Sequence, residues 1–472
     1  MAFLVLALSI LFILVAIVVL DLHPFLALVL AAVLVGLCSP RPLMDMELDR
    51  AEHELGRELS SEERAHVLSG RQLPEPVLAL ELTAEGFGNT AGSIGIVIVL
   101  AAIIGQCLIG SGAADRIVGA LLALFGERRA GLPLMGSGYL LSIPVFFDTV
   151  FFLLVPLARS LRQRTGGHYV LYVMAMSAGA VITHSLVPPT PGPLVMAETL
   201  GLDLGVAILG GLALSLVPAA VVLIVTHRVD AKLEVPDRGA PLPAREVGAL
   251  PSLFVSLLPV VLPVVLISGH SIVGALGRAD WTPWTAFFGN KNFALLVSSF
   301  IAAVVFKRQR GLTLHELSQS LEPAITSAGV IILITSAGGA FGGMLSRIGI
   351  DASLREWSVG GGGAKYLLIA FAIASVMKIA QGSGTVSMIT TAGVMTAILP
   401  ESLPFHLIYV YAAIGFGSLV VSWMNDSGFW VVCKMSGFTE LETLRTWTFA
   451  LVVIALVGIL QVLVLSAVWP LV

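Results

Sequence analysis

Apolar runs about as long as a bilayer is thick recur from one end of this chain to the other. The first 20 residues, MAFLVLALSILFILVAIVVL, carry no charged side chain. GSIGIVIVLAAIIGQCLIGSG (92–112) and LGVAILGGLALSLVPAAVVLIV (204–225) repeat the pattern. A helix needs about 20 such residues to cross the hydrocarbon core. Composition agrees: 57% of the 472 residues are hydrophobic and 12% charged, with a mean hydropathy of +0.96. A soluble domain has roughly 45–50% apolar and about 25% charged residues. The chain is therefore expected to be an all-α, polytopic integral membrane protein. An outer-membrane barrel is excluded, because its strands would read as short alternating segments. The net charge of −4 says little, since topology follows local Lys and Arg.

The first run lacks a basic leader and a small-residue cleavage site, and DLHP (21–24) separates it from FLALVLAAVLVGL. Residues 1–38 read as a pair of transmembrane helices, not a removed signal. Residues 39–80 are polar and mixed in charge, an insert outside the membrane with a helix-start signal in LSSEERAHVL. His53-Glu54 opens like a zinc-protease motif, but the second histidine is missing, so a solvated face is expected. The apolar segments that follow divide into a membrane repeat over 81–226, a polar linker over 227–250, connecting transmembrane helices over 251–310, and a second repeat over 311–472. GGGG at 360–363 reads as a loop, without a phosphate-binding lysine motif. Cys38, Cys107 and Cys433 have no disulfide or metal spacing and read as packing residues.

Two stretches of sequence are related. Gly92, Gly105 and Gly112 lie 237 residues before Gly329, Gly342 and Gly349. The same offset lays SIPVFFDTVFF (142–152) on IAQGSGTVSMI (379–389), and SLVPPTPG (185–192) on SWMNDSGF (422–429). The most polar interruptions of one half thus fall on those of the other. Charge implies inverted topology. RSLRQRTGGH carries Arg159, Arg162 and Arg164, while its counterpart TAILPESLPF carries no Lys or Arg. Basic loops stay cytoplasmic. Inverted repeats with broken helices near the midplane are features of secondary transporters.

The interruptions carry the chemistry. VPPTPGP (187–193) holds four prolines in six residues and cannot continue a helix. MNDSGF has turn and cap formers instead. Non-helical backbone at membrane depth is tolerated only inside protein or beside a wet cavity. AQGSGTVSMITTAG fits a re-entrant hairpin: a helix ending near Lys378, a glycine-rich turn, and a second helix starting near Thr385. Helix starts present N–H groups to anions. Ser383, Thr385 and Ser387 add hydroxyls, Gln381 an amide and Lys378 a charge, a set suited to a hydroxylated anion. Packing of small residues is the competing explanation. Asp148, in IPVFFDTVFFLL, is an intramembrane carboxyl and thus a candidate proton carrier; it could equally pair with Lys378 or a helix N-terminus. His184 could relay protons or bond a hydroxyl. Asp426 could take protons or cap a half-helix. Glu198, Asp203 and Lys434 read as interfacial.

In this order, EGFGNTAGSIGIVI, IPVFFDTVFFLLVPLA, THSLVPPTPGP, AQGSGTVSMITTAG, SWMNDSGFWVV and TLRTWT resemble the gluconate permease (GntP) family of gluconate:proton symporters. The resemblance covers nearly all of the chain except 39–80. It implies proton-coupled uptake of gluconate or a related sugar acid across a bacterial inner membrane. It also implies the ion-transporter superfamily architecture: a scaffold and a transport domain with two hairpins and two broken helices, in a homodimer. The proton is the coupling ion and no cofactor is implied. Where the family often has Glu, His and Arg, this chain has Asp148, Thr190 and Lys378. Lys is a point charge where Arg would grip a carboxylate bidentately.

The expected scheme follows. The substrate carboxylate meets Lys378 and the N–H groups near Ser383 to Thr385. Its hydroxyls meet Asn425, Ser427, Thr190 and the backbone around Gly192. A proton is carried by Asp148, shared with His184 or Asp426. The alternatives are a sodium-coupled transporter of other small carboxylates, and a family member for short hydroxy acids or D-amino acids. An intramembrane enzyme would need a nucleophile with a positioned base, and neighbouring residues such as His184 and Ser185 do not face each other on a helix.

Overall fold

The structure is a computed structural model describing residues 2–20, 22–39, 73–126, 129–233, 250–278, 280–347, 363–400, 402–424 and 426–471, with isolated positions among 42–64 and at 235. His53-Glu54, most of LSSEERAHVL, positions 360–362 of the glycine run, most of the 227–250 linker, Gly349 and Asn425 lie outside the described residues, as does the side chain of Gln381.

The described chain is all helical. Helices α1 (Ala2–Val18) and α2 (Pro24–Leu37) come first, the chain turning at Val19 after α1. The first membrane segment comprises α3 (Glu75–Ser111), α4 (Ala113–Phe125), α5 (Gly131–Leu141), α6 (Phe147–Thr165), α7 (Tyr169–Leu186), α8 (Pro191–Leu200) and α9 (Leu204–Asp230). Then come α10 (Leu253–Ala275), α11 (Thr282–Phe288) and α12 (Lys291–Arg310). The last segment comprises α13 (Leu314–Arg347), α14 (Ala364–Gln381), α15 (Gly384–Ile398), α16 (Ile408–Gly417) and α17 (Ser427–Ser436). It ends with α18 (Glu440–Thr443), a π-helical turn (Leu444–Thr448) and α19 (Phe449–Val468). Six helical stretches among the described residues are long and apolar enough to span a bilayer; a seventh is formed if α11 and α12, bent by 50°, count as one. The chain is a multi-pass membrane protein.

Element starts keep the register read from the glycines. Helices α3, α6 and α8 begin at 75, 147 and 191; α13, α15 and α17 begin 239, 237 and 236 residues later. The long helices α3 and α13 each start well before the apolar stretches at 92 and 323. Pro74 precedes the first turn of α3, where a missing N–H costs nothing, and the polar ELTAEGFGNT then continues the helix. These two long helices pack on each other, and α13 packs on α15.

Burial separates two kinds of helix. In α7 every residue except His184 is buried, and all ten residues of α16 are buried. By contrast α9, α10 and α19 leave apolar side chains such as Leu216, Phe254 and Leu460 exposed, as lipid-facing helices do. Helices α7 and α16, which lead into the two interruptions, thus lie inside the protein, where backbone groups freed from helices can be satisfied, whereas Trp423, Met424 and Ser427 of the second interruption are exposed.

Candidate functional site

Proline sets the first interruption. Helix α7 stops at Leu186, and α8 restarts with Pro191 in its first turn. Thr190, at the N-cap, donates its hydroxyl to the carbonyls of Val187 (2.7 Å) and His184 (3.0 Å), tying the break to the end of α7. In the second interruption α16 ends at Gly417 and α17 starts at Ser427. Asp426 is the cap: its Oδ1 accepts from the Gly428 N–H at 2.9 Å.

The turn of AQGSGTVSM is set by glycine. Gly382 has φ +83°, a left-handed conformation that a side chain would strain, and its N–H closes α14 on the Lys378 carbonyl at 2.9 Å. Helix α14 therefore runs three residues beyond Lys378 before it stops. Ser383 caps α15, accepting from the Val386 N–H at 3.3 Å. Ser387 is buried and donates to the Ala374 carbonyl at 2.6 Å, locking α15 to α14.

Each interruption packs on the opposite half. A Cβ at Gly192 would run into the end of the Met388 side chain and lie 3.6 Å from Thr385 Cα, so α8 packs on α15 here with the Met388 methyl filling the space beside Gly192. Phe147 Cε1 is 3.7 Å from a Cβ built on Gly428, and the Phe147 ring stacks on Trp447 at 5.2 Å. Between the first break and the second turn lies a cavity of about 170 Å³. It is walled by Phe146, His184, Pro191, Thr335, Ser383 and Thr385, with Ile331, Ile334 and Val386. A second cavity of about 170 Å³ lies on the other side of Phe146, against Gln106, Pro144, Thr149 and Ser327.

Lys378 is 4% exposed and Asp426 8%. Lys378 Nζ donates to Asp426 Oδ2 at 2.6 Å and to the Gly382 carbonyl at 2.6 Å. The Ser422 hydroxyl also donates to Asp426 Oδ2, and itself accepts from Trp447 Nε1 at 2.8 Å. The cation that Asp148 could have balanced is thus paired with Asp426, and Asp426 is both cap and counter-ion. Asp148, in the first turn of α6, makes no hydrogen bond or ion pair among the described residues and interacts electrostatically with Asp426. His184 Nδ1 and the hydroxyls of Thr183, Ser336, Thr390 and Thr391 are buried without partners among the described residues.

The expected residues fall into two groups. His184, Ser383 and Thr385 wall the first cavity, with Gly192 packed behind Thr385. Lys378, Asp426 and Asp148 form the charged group behind the turn, next to Ser427 at the start of α17. Thr190 and Ser387 spend their hydroxyls on carbonyls. Residue-by-residue reasoning did not single out Ser422, Trp447, Phe146 and Thr335, although SWMNDSGF and TLRTWT contain the first two. Glu198 pairs with Lys291, Asp203 caps α9 and accepts from Ser271 at 2.6 Å, and Lys434 pairs with Glu440 at 3.1 Å, none of these partners being a residue of this site.

A cavity between interrupted helices, in an all-helical polytopic protein, is a feature of membrane transporters. Its sequence and fold place it further. The GntP family permease model matches residues 68–468, and the chain belongs to that family. It is 30% identical over 455 residues to the gluconate permease of Pseudomonas aeruginosa, covering 94% of this chain and 93% of that one. It is 30% identical over 388 residues to the Gnt-II system L-idonate transporter of Escherichia coli K12, covering 81% and 88%. The fold is similar to the crystal structure of the Alcanivorax borkumensis YdaH transporter, with TM-score 0.61 and 16% identity, covering 95% of this chain and all of that one. The relatives are permeases and transporters, not enzymes.

Proposed function

We propose that this chain is a secondary active transporter that takes up gluconate or a related sugar acid together with a proton, by alternating access. The observation that carries this reading is the cavity at the meeting of α7, α8 and the 382–386 turn. It has helix starts and hydroxyls on one side and a buried lysine one peptide behind its wall. First-turn N–H groups and hydroxyls suit a carboxylate that carries hydroxyls. The names of the gluconate and L-idonate relatives support the substrate class.

In this reading Ser383, Thr385 and the N–H groups of α15 meet the carboxylate with Lys378. His184, Thr190, Asn425, Ser427 and the backbone around Gly192 meet the hydroxyls. The carboxyls Asp148 and Asp426 carry the proton, and no cofactor takes part. The matching helix starts and the asymmetry of Arg159, Arg162 and Arg164 against 396–405, which has no Lys or Arg, support two inverted repeats, the turns being re-entrant and the interruptions lying near the midplane. The transport domain would carry the turns and interruptions, and a scaffold with lipid-facing helices would hold it, in a homodimer in the bacterial inner membrane.

The test is labelled gluconate uptake into proteoliposomes in sodium-free buffer under an inward proton gradient, with L-idonate, short hydroxy acids and D-amino acids as competitors. Accumulation that an uncoupler collapses and L-idonate inhibits is expected. Accumulation that requires sodium, or stronger competition by D-amino acids than by gluconate itself, overturns the reading.

A further inference from the structure

We propose that the Lys378–Asp426 pair is an exchange switch: protonation of Asp426 releases Lys378, and the substrate carboxylate takes the released ammonium. This rests on the reading of the chain as a proton-coupled carboxylate transporter, and it names the group on which proton and substrate are coupled.

The geometry supplies both ends of the exchange. Lys378 Nζ uses two donors, one on Asp426 and one on the Gly382 carbonyl. An ammonium has three. Gly382 precedes Ser383, which walls the cavity, so the cation stands one peptide behind the place where a carboxylate would lie. Asp426 keeps its partners in either protonation state. The Gly428 N–H holds Oδ1 at 2.9 Å, and the Ser422 hydroxyl can donate to a carboxylate or turn to accept from a carboxyl. Trp447 Nε1 fixes the Ser422 oxygen at 2.8 Å. Among the described residues, the charged groups that interact with Asp426 are Lys378 from α14, paired with it, and Asp148 from α6, felt electrostatically, together with the N-terminal end of α17, which Asp426 caps.

Charge accounts for strict coupling. Before exchange the pair is one cation and one carboxylate, net zero. Afterwards the ammonium holds the substrate carboxylate and Asp426 holds the proton, again net zero. Anion without proton, or proton without anion, leaves one uncompensated charge in a buried site, which is strongly disfavoured. Only the empty and the doubly loaded states are therefore neutral enough to cross. No bond other than the ion pair and the O–H of Asp426 changes.

The experiment compares wild type, Asp426→Asn and Lys378→Met/Asp426→Leu in lipid nanodiscs and proteoliposomes. One readout needs no substrate: infrared difference spectra on acidification report the C=O stretch of a protonated buried carboxyl. The wild type should show the band, and Asp426→Asn should lose the Asp426 part of it and keep only what Asp148 contributes. The second readout is gluconate binding against pH. The wild type should bind about tenfold more weakly per unit rise in pH, the slope for one proton taken up with one anion. Asp426→Asn should bind with little pH dependence, retain gluconate exchange and lose accumulation. The doubly substituted chain should fold yet neither bind nor accumulate gluconate. The proposal is overturned if Asp426→Asn accumulates gluconate as the wild type does or shows an infrared band undiminished from that of the wild type. It is also overturned if the doubly substituted chain transports, which would make the pair a mere clamp. A wild type that shows the Asp426 band but binds no gluconate would count against the substrate reading and leave the proton-driven release of Lys378 standing.

Discussion

Lys378 and Asp426 lie 48 positions apart on the chain and meet at 2.6 Å, with the two residues only 4% and 8% exposed. The contact joins the end of α14 to the start of α17, and so ties the second turn to the second interruption. Removing one partner of a buried pair leaves the other charge uncompensated, at a cost of about 3–5 kcal/mol. Lys378→Met is therefore expected to lower the thermal midpoint of the detergent-solubilised protein sharply. Adding Asp426→Leu should recover most of that loss, and Lys378→Arg should keep both stability and uptake. Thermal scans of the four proteins check the prediction. An unchanged midpoint in Lys378→Met would mean that the pair contributes nothing.

Asp148 stands in the first turn of α6 without a hydrogen bond or ion pair among the described residues and interacts electrostatically with Asp426. Asp148→Asn keeps the shape and removes the proton site. Accumulation should fall to no more than the equilibrium level while exchange of labelled for unlabelled gluconate persists. Full uphill uptake by this variant would take Asp148 out of the coupling.

Gly192 and Met388 test the approach of α8 to α15. Forcing extra methyl groups into a packed core costs about 1–3 kcal/mol. Gly192→Val should cut the uptake rate severely, because its Cβ meets Met388. Met388→Ala in the same chain should restore a large part of it. The paired rates form a double-mutant cycle, and additive losses would show that the two residues do not act on each other.

Phe146 walls both cavities of about 170 Å³ and meets the His184 ring edge-on at 6.4 Å. Phe146→Ala should open one cavity to the other. The expected result is faster passive gluconate efflux from loaded proteoliposomes, with reduced accumulation under the same gradient. Efflux at the wild-type rate would mean that the ring is not a barrier.

Much of this was legible in the sequence because membrane depth exaggerates local signals. Four prolines in VPPTPGP could only break a helix, and the break falls between Leu186 and Pro191. The glycine register carried over to the starts of α6 and α15. The extent of α3 was hidden: polarity in ELTAEGFGNT reads as the end of an apolar run, whereas the helix continues from Glu75. The partner of Lys378 was also hidden. Local spacing cannot say which of two intramembrane carboxyls a lysine reaches, because that depends on how α14 and α17 pack. Ser422 and Trp447 were invisible as a pair for the same reason: 25 residues separate them, and only the fold brings the indole N–H to the hydroxyl.

The most direct test of proton-coupled uptake needs no imposed gradient. Gluconate is added outside lightly buffered, sodium-free proteoliposomes while the external pH is recorded. If each gluconate enters with a proton, the medium turns alkaline as label enters, and an uncoupler abolishes the pH change. Gluconate entry with no alkalinisation, or entry only when sodium is supplied, would contradict the account.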